Sequence, residues 1–244
     1  MSHAFYEVGG LRFWTESEIT ARDRAIQLLY SSLSHALQTL NSAWTFHRVE
    51  GPLLTPRSFI SDAYDDNDIF LLEAKIGSQG GALRAETTAS SYLYAEHLLK
   101  SGLARPPVCV WQVGKSFRRE TNDGARASEL RFNEFYQIEF QCVFKSDTKA
   151  DIRGCAEAAI VDAIKRVTHS QEARIVPSDR LPSYSKETRD VEVPYGELTA
   201  TGSKKWKEMC SISTRTDFPM DNMLVLEVAV GLDRLIVVES EWES

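Results

Sequence analysis

The stretch VCVWQVGKSFRRETNDGARASELRFNEFYQIEFQCVF, residues 108–144, decides how the chain folds. It contains two runs rich in aromatic and β-branched residues, and a polar loop with Asn122, Asp123 and Gly124 joins them. Two strand-like runs separated by a turn-forming loop are typical of an antiparallel hairpin. The sequence therefore predicts a long β-hairpin in this region.

The second run of the hairpin sorts its side chains onto two faces, because successive residues of a strand point to opposite sides. One face is apolar and comprises Phe132, Tyr136, Ile138, Phe140, Cys142 and Phe144. The other is mainly polar and comprises Arg131, Asn133, Phe135, Gln137, Glu139 and Gln141. The apolar face predicts packing against a core, whereas the polar face fits either a solvated outer surface or a binding surface.

Three residues of the polar face favour a binding surface. Arg131, Phe135 and Glu139 recur every four residues, which places them about 13 Å apart on a strand. A guanidinium, an aromatic ring and a carboxylate in this order suit an extended ligand with an anionic part, a flat ring and a cationic end. The same spacing would also align them on a helix, but the aromatic and β-branched content favours a strand.

A long amphipathic helix is predicted upstream of the hairpin. Thr15 and Glu18 have the spacing of a capping box, which satisfies free backbone N–H groups at a helix start. Apolar residues then recur at helical intervals, at Ile26, Leu29, Leu33, Leu37 and Leu40. The next segment, WTFHRVEGPLLTP (44–56), has strand-forming residues and two prolines, so it predicts an edge strand that runs into a loop.

The remaining segments complete an α+β pattern. The sequence predicts a solvated acidic loop without chemistry at 62–68, a short buried strand at 69–76, a turn at 77–81, helices at 87–100, from Asp147 and at about 231–242, and short strands in between. Strands outnumber helices and do not strictly alternate with them, which favours an antiparallel sheet flanked by helices. The length of 244 residues fits one domain, 1–244.

Composition excludes several classes of protein. The formal charge of −7, from 28 basic and 35 acidic residues, argues against a general electrostatic grip on nucleic acid, so DNA is not an expected partner. The four cysteines, at 109, 142, 155 and 210, form no CxxC pair and predict buried thiols in a reducing compartment. Because no apolar stretch is long enough for a membrane span or a signal core, the sequence predicts a cytoplasmic protein without a membrane partner.

The hairpin resembles motif 2 of the class II aminoacyl-tRNA synthetases. The resemblance rests on Phe117-Arg118-Arg119-Glu120, a variable loop, and then Arg131, Phe135 and Glu139. It implies that Arg118 holds the α-phosphate of ATP and that Arg131 reaches the γ-phosphate. It also implies that Glu120 contacts the adenine and that Phe135 stacks on it.

Two further segments resemble class II motifs and occur in the family's order. The long helix and the strand that ends in RVEGP resemble motif 1, with Pro52 as its proline. In the family this element forms a homodimer interface, so the resemblance implies a dimer through residues 18–56. LEVAVGLDRLIVV (226–238) resembles motif 3, whose Arg234 would bind the γ-phosphate and serve catalysis together with Arg118. Taken alone, Arg234 would be interpreted as a surface arginine of the last helix.

Between these motifs the chain is most similar to the glycyl type. LRAET (83–87) resembles its LRPET, which implies that Arg84 and Glu86 belong to the amino-acid site. In that type, acidic residues at the positions of Glu139 and Glu227 receive the substrate ammonium. Carboxylates suit this task because an ammonium offers three hydrogen-bond donors and a full charge. Considered by itself, Glu227 also fits a carboxylate paired with a local arginine.

Departures from the glycyl type bear on substrate, metal and acceptor. Ala229 stands where the glycyl type has a serine, so the sequence predicts a small amino acid, glycine above all, rather than strict glycine selectivity. Glu208 and Ser211 resemble a seryl-type pair that binds Mg²⁺ with ATP, although residues three apart share a strand face only if a bulge intervenes. In the motif 2 loop, Arg126 is expected to contact an acceptor end. The sequence has no segment for an anticodon-binding domain, which predicts weak charging of bulk tRNA.

The resemblance implies an ATP-dependent, AMP-forming amino-acid ligase. It would form an aminoacyl-adenylate and transfer the acyl group to a tRNA-like end, a carrier protein or a small amine. The alternative is a non-catalytic paralogue that acts as a regulatory subunit or as a sensor of amino acids or nucleotides. Such relatives usually lose the nucleotide-binding arginines, whereas Arg118 and Arg234 are both present, so the sequence favours the enzyme.

Overall fold

The hairpin predicted at residues 108–144 provides two adjacent strands of the main sheet in a computed structural model of the chain. The structure describes residues 6–8, 11–62, 64–120, 130–179, 183–196, 202 and 204–242. The helices are α1 (Glu16–Leu40), α2 (Thr88–Lys100), α3 (Ile152–Thr168) and α4 (Leu232–Trp242), with a short 3-10 helix at Arg57–Phe59. The strands are β1 (Tyr6–Val8), β2 (Leu11–Phe13), β3 (Thr45–Arg48), β4 (Leu54–Pro56), β5 (Leu71–Ile76), β6 (Gln79–Leu83), β7 (Val108–Phe117), β8 (Glu134–Lys145), β9 (Arg174–Pro177), β10 (Ser185–Tyr195), β11 (Lys205–Arg215) and β12 (Met223–Gly231).

Seven of the described strands form the main sheet, in the order β3-β7-β8-β12-β11-β10-β9. Neighbouring strands are antiparallel except at one edge, where β3 pairs in parallel with β7. Strands β4, β6 and β5 form a separate antiparallel sheet. The predicted α+β class is confirmed, and β3 is the edge strand that the sequence predicts between residues 44 and 56.

Helix α1 begins as its sequence predicts. The hydroxyl of Thr15 accepts a hydrogen bond from the backbone N–H of Glu18 at 3.3 Å, and the Glu18 carboxylate accepts one from the N–H of Thr15 at 2.8 Å. Leu29, Leu33 and Leu37 are fully buried, whereas Leu40, the last residue of the helix, is exposed. Within the described residues, no helix is both long and apolar enough to cross a bilayer.

The two faces of the main sheet have different coverings. Helices α1, α3 and α4 pack on one face, where Ile138, Phe140 and Cys142 of β8 join the larger hydrophobic core. Helix α2 packs against the other face, where a smaller core contains Val108 and Val143. The alternation of side chains along each strand therefore sends one set of residues to the larger core and the other set to the side of α2.

The predicted start of α3 is five residues too early. Helix α3 begins at Ile152 because Asp151 caps it, with its Oδ1 accepting a hydrogen bond from the backbone N–H of Gly154 at 2.8 Å. Asp147 lies in the turn that precedes the helix. Three of the four cysteines are buried as predicted, and Cys155 of α3 is partly exposed.

The small sheet differs from its predicted form in two ways. Strand β5 was expected to be buried, but it is an edge strand, and its Leu71 is largely exposed. Residues 79–81, expected in a turn, begin strand β6. A Cβ atom at Gly81 would lie 2.8 Å from the carbonyl oxygen of Ala74, so glycine permits the close approach of β5 and β6.

Candidate active site

A cavity of about 730 Å³ lies on the face of the main sheet that carries α2. Strands β8, β11 and β12 direct alternate side chains into it, including Glu139, Ser211 and Glu227. The predicted site residues that line the cavity are Glu86, Arg118, Glu120, Arg131, Phe135, Glu139, Glu208, Ser211, Glu227, Ala229 and Arg234. The fold thus brings most of the predicted site into one place.

The polar face is buried from Gln137 to Gln141, so its interpretation as a solvated outer surface is wrong for this part, whereas Arg131 at its start is exposed. Gln137, Glu139 and Gln141 are 4%, 1% and 0% exposed. All three residues of the row, Arg131, Phe135 and Glu139, line the cavity. A buried polar face of this kind requires hydrogen-bond partners, and these come from the neighbouring elements.

Glu139 is held by four donors. Its carboxylate accepts hydrogen bonds from Thr87 Oγ1 at 2.7 Å, Thr88 Oγ1 at 2.9 Å, Gln137 Nε2 at 2.7 Å and Gln141 Nε2 at 2.5 Å. Both carboxylate oxygens are therefore fixed in orientation. With Glu86 and Glu227, Glu139 forms what we call the carboxylate cluster of the cavity.

The start of α2 supplies two of these donors. Thr87 occupies the N-cap position but makes no side-chain cap, because its hydroxyl donates to Glu139 instead. The hydroxyl of Thr88 also lies 3.1 Å from Glu227 Oε2, so it lies between two carboxylates of the cluster. The helix start is thus used to organise the carboxylates rather than to cap the helix.

Arg215 is the cation that balances part of the cluster. It is 2% exposed, its Nη1 donates to Glu227 at 2.7 Å, and its Nη2 donates to Asp217 at 2.7 Å. The interpretation of Glu227 as a carboxylate paired with a local arginine is confirmed, and its position in the cavity lining is compatible with the predicted ammonium contact, which stays a prediction. The ring of Tyr184 lies 3.8 Å from the Arg215 guanidinium carbon and restricts its position further.

Burial and mutual repulsion disfavour the ionised forms of two carboxylates of the cluster. Burial, followed by the charge of Glu227, raises the pKa of Glu86 to about 7. Burial and Glu227 likewise raise the pKa of Glu139, although its hydrogen bonds from Thr87 and the neighbouring donors oppose this. A cationic ligand would favour the ionised forms of these carboxylates, so the site is suited to a ligand cation.

Arg118 meets the cavity from the end of β7. Its guanidinium carbon lies 5.2 Å from the ring centres of both Tyr64 and Phe135, and its Nε donates to the carbonyl of Ala85 at 3.2 Å. Within the described residues it forms no ion pair with a carboxylate. The two rings and the carbonyl therefore hold the guanidinium in place without a carboxylate in direct contact among the described residues.

Two other arginines of the cavity, Arg131 and Arg234, are paired with carboxylates. Arg131 lies 3.6 Å from Glu120, and Arg234 lies 3.2 Å from the carboxylate of Glu208. The interpretation of Arg234 as a plain surface residue is wrong, because its Nη1 also donates to the Glu208 carbonyl at 2.9 Å inside the cavity. Asn133 orients Glu120 by accepting its backbone N–H at 2.9 Å.

A β-bulge places Glu208 and Ser211 together. In the pairing of β10 with β11, the register shifts so that Met209 is the extra residue between Glu208 and Cys210. This insertion reverses the alternation, and Glu208 and Ser211 both line the cavity although they are three residues apart. The bulge that Glu208 and Ser211 need in order to share a strand face is therefore present.

The residues around the bulge fit a small hard cation such as Mg²⁺. Burial, followed by the charge of Glu208, raises the pKa of Asp190 to about 6, and Asp190 lines the same part of the cavity. A cation beside these two carboxylates would relieve their repulsion, and carboxylate and hydroxyl oxygens are suitable ligands. In the part of the chain that the structure describes, no group of three or more His, Cys, Asp or Glu residues could hold a metal. Further oxygens would have to come from a bound substrate.

Two predicted site residues are not in the cavity lining. Arg84 is buried beneath it, where its guanidinium donates to the carbonyls of Lys115 at 2.8 Å and Gly51 at 2.9 Å. Its expected contact with the amino acid is therefore corrected to a structural role, since Arg84 does not line the cavity and its Nε and Nη1 donate to backbone carbonyls. Arg126 falls outside the described residues, so its expected contact with an acceptor stays a prediction.

Sequence reasoning missed several residues of the cavity. Residues 62–68 were expected to be a solvated loop without chemistry, but Tyr64 and Asp68 line the cavity. Tyr184 and Thr88 of the lining, and Arg215, which pairs with Glu227 behind it, were not predicted as site residues either. The sequence signal that could have pointed to these residues is the polar alternation of β8. If that face is buried, a carboxylate such as Glu139 requires hydrogen-bond donors from neighbouring segments.

The family follows from comparison with known proteins. The family model for tRNA synthetases class II (D, K and N) matches residues 19–222, which is most of the chain. The chain therefore belongs to the class II tRNA synthetases, as its three motifs imply.

Similar proteins in sequence include glycine–tRNA ligases of bacteria. The glycine–tRNA ligase of Cutibacterium acnes is 31% identical over 147 residues, covering 57% of this chain and 29% of that protein. The glycine–tRNA ligase of Staphylococcus saprophyticus is 28% identical over 143 residues, covering 57% of this chain and 28% of that protein. The matched region thus spans less than a third of the length of these relatives.

A solved structure shows the same fold. Giardia lamblia prolyl-tRNA synthetase in complex with prolyl-adenylate superposes with a TM-score of 0.65 at 14% identity, covering 96% of this chain and 49% of that chain. Because the similar proteins are named for different amino acids, the similarity alone does not identify the substrate of this chain.

Proposed function

We propose that this protein activates a small amino acid, glycine above all, with ATP and forms an aminoacyl-adenylate and pyrophosphate. The observation that carries the proposal is that one cavity contains both the carboxylate cluster and four arginines, three of which, Arg118, Arg131 and Arg234, are predicted site residues. The cluster suits an ammonium, and the arginines suit a triphosphate, so both substrates of the reaction have a complementary surface.

The arginines and the aromatic ring define the proposed ATP half of the cavity. Arg118 would contact the α-phosphate, and Arg131 and Arg234 the γ-phosphate. Phe135 would stack on the adenine, and Glu120 would accept a hydrogen bond from the adenine amino group. The support for this arrangement is that all five side chains line the cavity, with Arg118 beside the Phe135 ring.

The carboxylate cluster defines the proposed amino-acid half. Glu86, Glu139 and Glu227 would receive the ammonium group. Ala229 is the cross-strand partner of Glu139 on β8, so a one-carbon side chain borders the ammonium site. This proximity supports a small amino acid as the substrate.

The reaction would need alignment and charge stabilisation rather than a protein nucleophile. A carboxylate oxygen of the amino acid forms the new bond to the α-phosphorus, while the bond from that phosphorus to the pyrophosphate oxygen breaks. The attacking carboxylate is already ionised at neutral pH, so no general base is required. Arg118 would stabilise the charge that develops on the α-phosphate, and a positioned donor of this kind contributes on the order of 10²–10³ in rate.

Glu208 and Ser211 would hold Mg²⁺ together with ATP. The bound ion would neutralise phosphate charge during the reaction. The support for this assignment is the shared cavity face that the bulge at Met209 gives these two residues.

The proposed partners are an acyl acceptor and a second copy of the chain. A tRNA-like end, a carrier protein and a small amine are all chemically able to accept the activated acyl group. A dimer through residues 18–56 is supported by the edge position of β3 and by the exposure of Leu53 and Leu54, at 43% and 50%. Light scattering at micromolar concentration tests the dimer, and a monomer would contradict it.

Amino-acid-dependent ATP–pyrophosphate exchange, measured with each of the twenty amino acids, tests the proposed activity. We expect exchange with glycine or another small amino acid such as alanine or serine. Arg118→Ala should reduce it on the order of 10²-fold or more, whereas Arg105→Ala, which removes an exposed arginine outside the cavity lining, should not. Exchange driven only by aromatic amino acids would contradict the substrate class. ATP binding without exchange would instead indicate the non-catalytic paralogue.

A further inference from the structure

Tyr64 lies in the loop between the 3-10 helix and β5, and this loop is firmly attached to the fold. Arg57 donates to the carbonyl of Tyr64 at 2.9 Å and to the carboxylate of Asp66 at 2.8 Å. The Tyr64 ring packs on a small apolar cluster that includes Ile60 and Ile69. The side chain is therefore held in the cavity by the loop rather than placed there by chance.

Two contacts of Tyr64 reach different halves of the site. Its hydroxyl donates to Glu86 Oε2 at 3.2 Å, and Glu86 belongs to the carboxylate cluster. Its ring centre lies 5.2 Å from the guanidinium carbon of Arg118. One side chain thus contacts both the proposed ammonium site and the proposed α-phosphate arginine.

We propose that Tyr64 is a positioning residue that links the two halves of the cavity. Its ring holds the Arg118 guanidinium, and its hydroxyl supports Glu86 as a carboxylate that faces the substrate ammonium. The proposal rests on the function proposed above and deepens it, because it assigns the positioning of one ammonium-binding carboxylate and one phosphate-binding arginine to a single residue of the loop.

An aromatic ring is a suitable partner for an arginine that must bind phosphate. Arg131 and Arg234 each lie beside a carboxylate, which competes with an incoming phosphate for their charge. A ring attracts the guanidinium through its π electrons but carries no net charge, so it orients Arg118 without neutralising it. Replacing the ring by an aliphatic side chain should leave Arg118 less well placed.

The hydroxyl has a separate effect, because it acts on the charge of Glu86. A hydrogen bond donated to a carboxylate favours its ionised form, so removing the donor should raise the pKa of Glu86 above its present value of about 7. Other charged and titratable groups also face Glu86, and they are Glu227 of β12, Arg215 of β11, Glu139 of β8, Arg118 after β7 and Tyr184 before β10. None of these is altered by Tyr64→Phe.

Two substitutions separate the ring from the hydroxyl. Tyr64→Phe keeps the ring and removes the hydroxyl, and Tyr64→Leu removes both. Tyr94→Phe serves as the matched control, since Tyr94 lies on α2 and packs against the smaller core outside the cavity lining. Tyr64→Phe is nearly isosteric, so it keeps the test valid if Tyr64→Leu folds poorly.

The first readout is the titration of Glu86 in ligand-free protein, followed by ¹³C NMR of labelled glutamate carboxyls and assigned with Glu86→Gln. We expect Tyr64→Phe to raise the midpoint by roughly 0.5–1 pH unit, as the loss of one hydrogen bond to a carboxylate predicts. Tyr94→Phe should leave it unchanged.

The second readout is ATP affinity by calorimetry in the absence of amino acid. We expect Tyr64→Leu to weaken ATP binding about three- to tenfold, and Tyr64→Phe to change it by less than about twofold. A wild-type midpoint in Tyr64→Phe, or wild-type ATP affinity in Tyr64→Leu, would overturn the proposal. Neither readout requires turnover, so a wild-type protein that shows no exchange would contradict the proposed function alone.

Discussion

Glu139 is the residue on which the amino-acid half of the site depends most. Four donors fix its carboxylate, two from the same strand and two from the start of α2, about 50 residues earlier in the sequence. Such a network orients the carboxylate before any ligand binds, so little reorganisation accompanies binding. Two donors meet each oxygen, so an ammonium would meet the charge of Glu139 rather than a free lone pair, and the nearby Arg215 is already paired with Glu227.

Glu139→Gln should weaken amino-acid binding while leaving ATP binding intact. The substitution keeps size and shape but removes the charge that the ammonium meets. We expect the KM for the amino acid to rise roughly 10- to 100-fold in pyrophosphate exchange, the scale of a charged hydrogen bond. Glu73→Gln, on an exposed position of β5, is the matched control. An unchanged KM would remove Glu139 from the ammonium site.

The site residues of the hairpin could be predicted from sequence, because the two-residue alternation of a strand determines which face of the sheet each side chain occupies. The alternation in β8 assigns Phe135 and Glu139 to one side without any knowledge of the fold. Tyr64, Thr88 and Arg215 could not be predicted in this way, because their positions depend on long-range packing of a loop, a helix start and a strand end. Arg84 was misassigned for the same reason, since resemblance to LRPET does not show which way its guanidinium points.

At the scale of elements, the bulge in β11 is the feature that changes chemistry. One extra residue, Met209, turns a pair on opposite faces into a pair on one face. No glycine or proline marks the bulge. From the sequence one could infer that Glu208 and Ser211 need a bulge to share a face, but not that the bulge is present. The hairpin, α1 and α4 were predictable, because each carries a local signal such as a capping box or a regular apolar period.

Glu208→Gln should raise the Mg²⁺ requirement of the reaction. The amide can still accept from Arg234 but is a poorer ligand for a hard cation. We expect the Mg²⁺ concentration for half-maximal exchange to rise roughly tenfold, the scale on which residues around metal sites act. Glu187→Gln on β10 pairs with Arg189 at the surface and should not alter it. Equal Mg²⁺ dependence of the two variants would contradict the metal assignment.

At the scale of the whole molecule, the carboxylate cluster costs stability. The pKa of Glu86 lies at about 7 in the folded chain, above its ordinary value of 4.5. The folded state therefore binds the proton more tightly than the unfolded state, and stability decreases as the pH rises from about 4.5 to 7. A site kept ready for an ammonium is thus less stable at neutral pH than an uncharged one.

Glu86→Gln should stabilise the protein at pH 8 relative to pH 5. The amide resembles the protonated acid, so it removes the unfavourable ionisation. We expect the free energy of unfolding of the variant, relative to wild type, to increase on the order of 3 kcal/mol between these pH values. Urea unfolding at both pH values measures it, with Glu73→Gln as the control. A difference that does not depend on pH would show that Glu86 titrates normally.

The central claim is that one cavity holds ATP and a small amino acid together and joins them. Mass spectrometry of the protein after mixing with ATP, Mg²⁺ and all twenty amino acids tests it most directly. The account predicts a bound adenylate with the mass of glycyl-adenylate or that of another small amino acid, absent from Arg118→Ala. Bound ATP without any adenylate, or an adenylate of an aromatic amino acid only, would contradict it.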